Sequence, residues 1–278
     1  MTPLLVVLAI VAGAAIGLSL GALGGGGSIL AVPVLVYLLG QSPAQATTGS
    51  LVVVGATSLI AAVAAWKGGN VLLGRGLAFG SVAVGGAIAG AMGSSMVPEP
   101  VLMAAFATLM VLAATAMTMR QLRARQHPDP QRRLRRYRLD DPIITFSPTF
   151  ACQCPRALKV LVTATVVGLL TGFLGVGGGF LVVPALVLGL GLEMTEAAGT
   201  SLVVITITSA VALAVRSGTG TNPDWGLVAV LTVAAVAGGT LGTRVGAHTT
   251  EVKLQGTFAV LLVAIAGYTA FQAIPALT

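Results

Sequence analysis

The chain has 278 residues, of which 56% are hydrophobic and only 8% charged, and its mean hydropathy is +0.98. Water-soluble domains carry about 25% charged residues, so this composition excludes a soluble enzyme, a disordered chain and a nucleic-acid-binding module. The net charge of +7 does not indicate a nucleic-acid partner, because the basic residues concentrate in one stretch and only 5% of residues are aromatic. The composition predicts an all-α polytopic membrane protein.

Ten apolar segments are separated by Gly, Pro and charged residues. The first has no basic region before it and similar segments follow, so we expect a retained transmembrane helix and not a cleaved signal. The second and seventh have about 14 residues and contain a proline, whereas about 20 residues are needed to cross the bilayer. They are predicted to be short broken, tilted or re-entrant helices after Gly-rich motifs. The segments are 2–22, 27–40, 44–65, 72–96, 100–119, 157–173, 178–191, 195–215, 225–246 and 254–274.

The sequence repeats itself at an offset of 151 residues. Residues 23–53 align without a gap with residues 174–204, and a glycine cluster, a proline and a serine coincide in one frame. Apolar composition alone would not readily produce that coincidence. We therefore expect two repeats of about five segments, 1–119 and 157–278, joined by a basic linker at 120–156, an arrangement typical of secondary transporters.

The basic residues leave two topologies open. If all ten segments cross, the odd number per repeat inverts the second repeat, and 14 of the 15 basic residues lie inside, leaving Arg216 outside. If the two short segments enter the membrane and return to the same side, eight segments cross and the repeats are parallel. In that case 13 basic residues lie inside and 2 outside. The positive-inside bias favours the inverted arrangement by a small margin, and both topologies place the linker in the cytoplasm.

The glycine clusters are the candidate substrate site. Each precedes a short helix, whose first backbone N–H groups and positive dipole end suit an anion, and the following helix begins with hydroxyl side chains. Helix packing is the competing interpretation, because small residues commonly lie between membrane helices. The candidate substrate-binding residues are Gly24, Gly26, Gly27, Ser28, Thr47, Thr48, Ser50, Gly177, Gly178, Gly179, Thr200 and Ser201.

The sequence lacks the residue patterns expected for a proton relay, nucleotide binding, catalysis or a metal site. No ionisable side chain is predicted deep in a span, which disfavours a proton relay through a carboxylate, and no phosphate-binding loop motif occurs. No Ser-His, paired-Asp or His-rich pattern is predicted at membrane depth, so we expect no enzyme and no catalytic residue. Cys152 and Cys154 are too close together to form a four-ligand zinc site by themselves. We expect no metal site and no cofactor.

The two glycine blocks carry a resemblance. Leu23-Gly-Gly-Gly-Gly-Ser-Ile-Leu-Ala-Val-Pro33 and Leu174-Gly-Val-Gly-Gly-Gly-Phe-Leu-Val-Val-Pro184, each followed by an Ala-x-x-[Gly/Thr]-Ser segment, resemble the sulfite exporter TauE/SafE family of membrane permeases. The resemblance covers both halves. It implies a multi-pass protein of the bacterial inner membrane that exports sulfite or organosulfonates such as sulfoacetate. The first block departs with Ser28 where the second has Gly179, so the two half-sites need not bind alike.

The expected partners are a small anionic substrate and the lipid bilayer, with no nucleic acid, and a homo-oligomer stays open. We predict a secondary transporter that exports small sulfur oxyanions by alternating access. The alternative is a permease for another small anion such as an organic carboxylate, which helix N-termini would hold equally well.

Overall fold

The computed structural model describes residues 3–94, 154–174, 179–216 and 222–249 continuously, with single positions between 96 and 119 and between 253 and 267. The predicted segments 100–119 and 254–274, and the linker up to residue 153, lie outside the continuous ranges. The helices are α1 (Pro3–Leu23), α2 (Gly26–Pro33), π1 (Val34–Leu38), α3 (Pro43–Lys67), α4 (Leu73–Ser94), α5 (Cys154–Leu174), α6 (Gly179–Pro184), π2 (Ala185–Gly189), α7 (Met194–Arg216) and α8 (Trp225–Ala247).

Long apolar runs and local caps set the helix bounds, so the bounds agree with the predicted segments to within a few residues. Among the described helices, α1, α3, α4, α7 and α8 are long and apolar enough to span a membrane. The start of α3 is fixed by a capping box, in which the Ser42 hydroxyl accepts from the Gln45 backbone and the Gln45 side chain accepts from the Ser42 backbone. Asp224 caps α8 by accepting from two backbone N–H groups.

Both short helices change from α-helical to π-helical hydrogen bonding at the proline, without an interruption of the helix. Pro33 and Pro184 each end an α-helical stretch and are followed by one π-helical segment. Proline has no N–H and its ring crowds the preceding turn, so the chain widens to the longer hydrogen-bond spacing of a π-helix. Each unit then stops at a glycine in the left-handed region, Gly40 with φ 66° and Gly191 with φ 70°.

Helices α3 and α7 pack against each other and run antiparallel. At one end the Arg216 side chain of α7 reaches Thr47 near the start of α3. In the middle, a Cβ added at Gly55 would lie 3.2 Å from Cβ of Ser209. At the other end, Gly199 of α7 packs against the backbone of Asn70, just after α3. These two helices form the centre of the molecule.

Each outer helix packs mainly against a helix from the other half of the chain. Helix α1 makes its largest contact with α8, and α4 makes its largest contact with α5. Gly17 of α1 packs on the carbonyl of Ala235, and Gly168 of α5, 151 positions after Gly17, packs on the carbonyl of Ala83. A Cβ at either glycine would overlap that carbonyl, so these glycines allow close helix approach, and the packing interpretation holds for them.

Candidate functional site

The N-terminal ends of the two short helices meet in the centre of the protein. A Cβ added at Gly179, the first residue of α6, would lie 2.7 Å from the Ser28 hydroxyl oxygen and 3.0 Å from Cα of Gly25. The same Cβ would lie 2.8 Å from Cδ1 of Ile205, in the middle of α7. The beginnings of α2 and α6 therefore face one point beside α7.

Ser28 and Gly179 are equivalent under the 151-residue offset, and they are in contact with each other. There is no room for a side chain on both, because the Ser28 hydroxyl occupies the space next to Gly179. Ser28 is fully buried and donates its hydroxyl hydrogen to the carbonyl of Gly25 at 2.7 Å. The difference between the two glycine blocks thus has a steric cause at their point of contact.

The glycines of the first block have different surroundings. Gly24 has φ 76°, and a Cβ there would lie 2.6 Å from the hydroxyl oxygen of Ser201 and 2.5 Å from Cα of Ala198. Gly27 faces away from α7 and packs on the backbone of Ile16 in α1. Gly24 therefore joins the first block to the second half, whereas Gly27 is a packing position. Gly26 is buried, and Gly177 and Gly178 lie outside the described residues.

The hydroxyls predicted from sequence are buried, and their hydrogen bonds stay within the protein. Thr47 and Thr48 both donate to the carbonyl of Ala44, at 2.9 and 3.2 Å. Likewise, Ser50 donates to the carbonyl of Thr47 and Ser201 to that of Ala198, each at 2.8 Å. Bonds of this kind, to the preceding turn, are the usual ones for Ser and Thr inside helices. An anion would have to compete with these carbonyls for the hydroxyl hydrogens.

Thr200 has a structural bond of its own. Its hydroxyl oxygen accepts from the backbone N–H of Leu72 at 3.1 Å, just before α4 begins. This bond satisfies one of the N–H groups that the start of a helix leaves open. Thr200 therefore ties α7 to the start of α4, a role that sequence spacing did not indicate.

The structure places three further hydroxyls at the centre of the molecule that the sequence motifs did not single out. Thr57 and Ser58 in α3 and Ser209 in α7 are at most 1% exposed, and their side-chain oxygens have no hydrogen-bond partner among the described residues. Ser58 and Ser209 are equivalent under the 151-residue offset, which is the sequence signal that would have found them. Since buried polar groups are nearly always paired, these hydroxyls are candidates for contact with a ligand or with water.

A cavity of about 400 Å³ lies at one end of α3 and α7. The ends of α1, α3 and α8 and the first turns of α7 surround it, and Ala198, Gly199 and Leu202 line it on the α7 side. Since Ala198 also packs against Gly24, the cavity adjoins the glycine block. Leu202 is one helical turn, about 5 Å, from Ile205, which contacts the tip of α6.

At the opposite end of α3 and α7, the side chain of Arg216 bridges neighbouring helices. Nη1 of Arg216, the last residue of α7, donates to the Thr47 hydroxyl oxygen at 3.2 Å, and Nη2 donates to the carbonyl of Gly172 in α5 at 3.5 Å. The Arg216 side chain is half-buried. In the inverted topology the sequence left Arg216 as the one basic residue outside, and it did not indicate these bonds. Arg216 links the end of α7 to two other helices.

The described residues contain no group of three His, Cys, Asp or Glu side chains that would hold a metal ion. Ligand chemistry in this part of the chain depends on backbone N–H groups, hydroxyls and basic side chains.

Comparison with known proteins supports a transport role for this arrangement. Residues 9–269 match the family described as "Sulfite exporter TauE/SafE". A "Probable membrane transporter protein" of Xylella fastidiosa strain 9a5c is 30% identical over 260 residues, which cover 92% of this chain and 91% of that protein. A protein of the same description from strain Temecula1 is 29% identical over the same shares. No solved structure gives a significant match.

Proposed function

The chain belongs to the sulfite exporter TauE/SafE family of membrane transporters, and from this premise we propose that it exports small sulfur oxyanions by alternating access across the bacterial inner membrane. Sulfite and organosulfonates such as sulfoacetate are the proposed substrates. The observation that carries the proposal is the meeting of the two short helices at Ser28 and Gly179. Helix N-termini that meet in the centre of a transporter suit an anion.

The halves of the chain form an inverted repeat in this proposal. The direction of the helices supports the inverted repeat, because α3 and α7 occupy equivalent places in the two halves and run antiparallel. The outer pairs add to that support, since the contact of Gly17 with Ala235 has its counterpart in the contact of Gly168 with Ala83. An inverted repeat permits two states of similar energy that open to opposite sides.

The substrate would bind where the two helix tips meet. Backbone N–H groups at the start of α2 would donate to the oxyanion, together with those of Gly177 and Gly178 before α6. The hydroxyls of Ser58 and Ser209, which lack a partner among the described residues, would complete the site from α3 and α7. Because these donors are backbone and hydroxyl groups, no buried lysine or arginine is required at that depth.

Alternating access is supported by the difference between the two ends. A cavity lies at the end near Lys67, whereas at the other end Arg216 is hydrogen-bonded to Thr47 and Gly172. The positive-inside bias would place Lys67 and Arg244 at the cytoplasmic face. The state described here would then be open to the cytoplasm, ready to receive a substrate for export.

Flux in proteoliposomes tests the proposal. We would measure labelled sulfite, thiosulfate, sulfoacetate, sulfate and acetate, with and without an imposed pH gradient. Export of a sulfur oxyanion is the expected result, and a response to the gradient would identify coupling to protons. Flux of acetate alone would favour the carboxylate permease instead, and no flux of any sulfur oxyanion would reject the proposed substrate class.

A further inference from the structure

The cavity near Lys67 has a basic lining. Lys67 at the end of α3, Arg244 in the last turn of α8 and His248 just after α8 all line it, together with Asn70 and Thr195. None of the described residues that line the cavity is acidic. At neutral pH, lysine and arginine carry a full positive charge each. The cavity is therefore a concave surface with charge of one sign.

The surroundings of the cavity strengthen this charge. Helices of low polarity form its walls, so field lines from the basic side chains are concentrated in the water that fills it. Its volume of about 400 Å³ lies within the range of small-molecule sites, roughly 300 to 1,000 Å³. It is large enough to admit a hydrated sulfite or sulfoacetate ion.

The basic residues also have an explanation that involves no ligand. Lys67 and Arg244 lie at helix C-termini, where a positive charge offsets the negative end of the helix dipole. Basic residues at membrane interfaces also attract lipid headgroups. Neither explanation accounts for a cavity that continues inward to Ala198, beside Gly24.

We propose that the cavity is an anion-recruiting vestibule, in which Lys67, Arg244 and His248 bind a small oxyanion weakly before it reaches the helix tips. The proposal rests on the proposed transport function, because it deepens the substrate path of that function. The occupant is the free oxyanion in solution. A lipid phosphate has related chemistry, so the test must distinguish the two.

The test measures local potential independently of transport. In a full-length background with Cys152→Ser and Cys154→Ser, Thr195→Cys would place a reactive thiol in the vestibule. Its modification rates by an anionic and by a cationic methanethiosulfonate reagent would be compared in phosphatidylcholine vesicles. Relative to the same ratio for a free thiol in solution, we expect a shift of about tenfold in favour of the anionic reagent, as expected for a charged cleft. Sulfoacetate at millimolar concentration should slow the modification.

Paired variants separate the vestibule from general surface charge. Lys67→Gln combined with Arg244→Gln should lower the rate ratio several-fold and abolish protection by sulfoacetate. Arg75→Gln is the matched control, because Arg75 lies in the first turn of α4, just after the turn from Lys67, and does not line the cavity. It should leave the ratio unchanged.

Three results would overturn the proposal. The first is a ratio that is unaffected by the double variant, and the second is an equal fall with Arg75→Gln. The third is a thiol modification rate that phosphatidylglycerol in the vesicles lowers and sulfoacetate does not. That result would assign the cavity to lipid headgroups. A protein that shows the expected ratio but no sulfur-oxyanion flux would keep the vestibule and reject the transport proposal.

Discussion

The two ends of the α3 and α7 pair are built from equivalent positions and yet differ in their contacts. Around the vestibule, Gly21, Ala65 and Ala198 line open space. Under the 151-residue offset, Gly21 corresponds to Gly172, Ala65 to Arg216 and Ala198 to Thr47. At the end opposite the vestibule, the Arg216 guanidinium donates hydrogen bonds to the Thr47 hydroxyl and to the Gly172 carbonyl.

This difference shows how a repeated sequence can carry a cavity at one end and a hydrogen-bonded arginine at the other. Alanine at position 65 leaves space, whereas arginine at position 216 reaches across and finds an acceptor on Thr47 that Ala198 does not offer at the vestibule. A hydrogen bond from a charged donor contributes about 1.5 to 3 kcal/mol. Energies of that size bias an equilibrium between two states without fixing it.

The largest effect is expected when Ala65, which lines the cavity, is replaced by arginine, the residue at the equivalent position 216. Ala65→Arg would place a long charged side chain inside a cavity of about 400 Å³ and close the path. We expect export to fall at least about tenfold, measured as efflux of labelled sulfite from proteoliposomes. Ala65→Val is the control, because it adds volume without reach or charge. Equal losses in both variants would show that volume alone matters.

The contact between the helix tips comes next. Gly179→Ser would force a Cβ to within 2.7 Å of the Ser28 hydroxyl oxygen, and overpacking of this kind costs about 1 to 3 kcal/mol. We expect reduced thermal stability and lost transport. Adding Ser28→Gly exchanges the two residues and should recover part of both, since contacts with Ile205 and Gly25 remain. No recovery in the double variant would mean that Ser28 and Gly179 do not share this space.

Removal of the closing side chain should have a smaller effect. Arg216→Ala removes the bonds to Thr47 and Gly172 and should populate states that are open at this end. Thr48→Cys, at a position that is 3% exposed, reports the opening through its rate of modification by a water-soluble thiol reagent. We expect a rise of about tenfold, which corresponds to about 1.4 kcal/mol. Arg216→Lys should give a smaller rise, and an unchanged rate in Arg216→Ala would show that Arg216 does not hold this end closed.

The central hydroxyls should give the smallest effect and the most specific one. Ser58→Ala and Ser209→Ala remove buried hydroxyls without a partner among the described residues, and an unpaired buried group costs about 1 to 3 kcal/mol. Each variant should therefore be as stable as the parent protein or more stable, while its KM for the anion rises a few-fold. Ser19→Ala, at a half-buried position of α1 where the hydroxyl donates to the carbonyl of Ala15, is the control. A fall in stability with unchanged KM would assign Ser58 and Ser209 to packing.

The sequence by itself determined the helices, because their causes are local. Apolar runs of sufficient length, the capping box at Ser42 and the prolines at 33 and 184 act within a few residues of chain. The offset of 151 residues also indicated which positions are equivalent, and so directed attention to the glycine blocks.

Tertiary structure decided which residues face the site, because that depends on how the two halves pack. Gly24 and Gly27 belong to one motif, yet Gly24 contacts α7 and Gly27 contacts α1. A serine in the middle of a helix usually donates to its own helix, so sequence could not separate Ser209 from Ser201. An arginine at a helix end usually faces water or headgroups, and only the antiparallel packing of α7 on α3 brings Arg216 to Thr47.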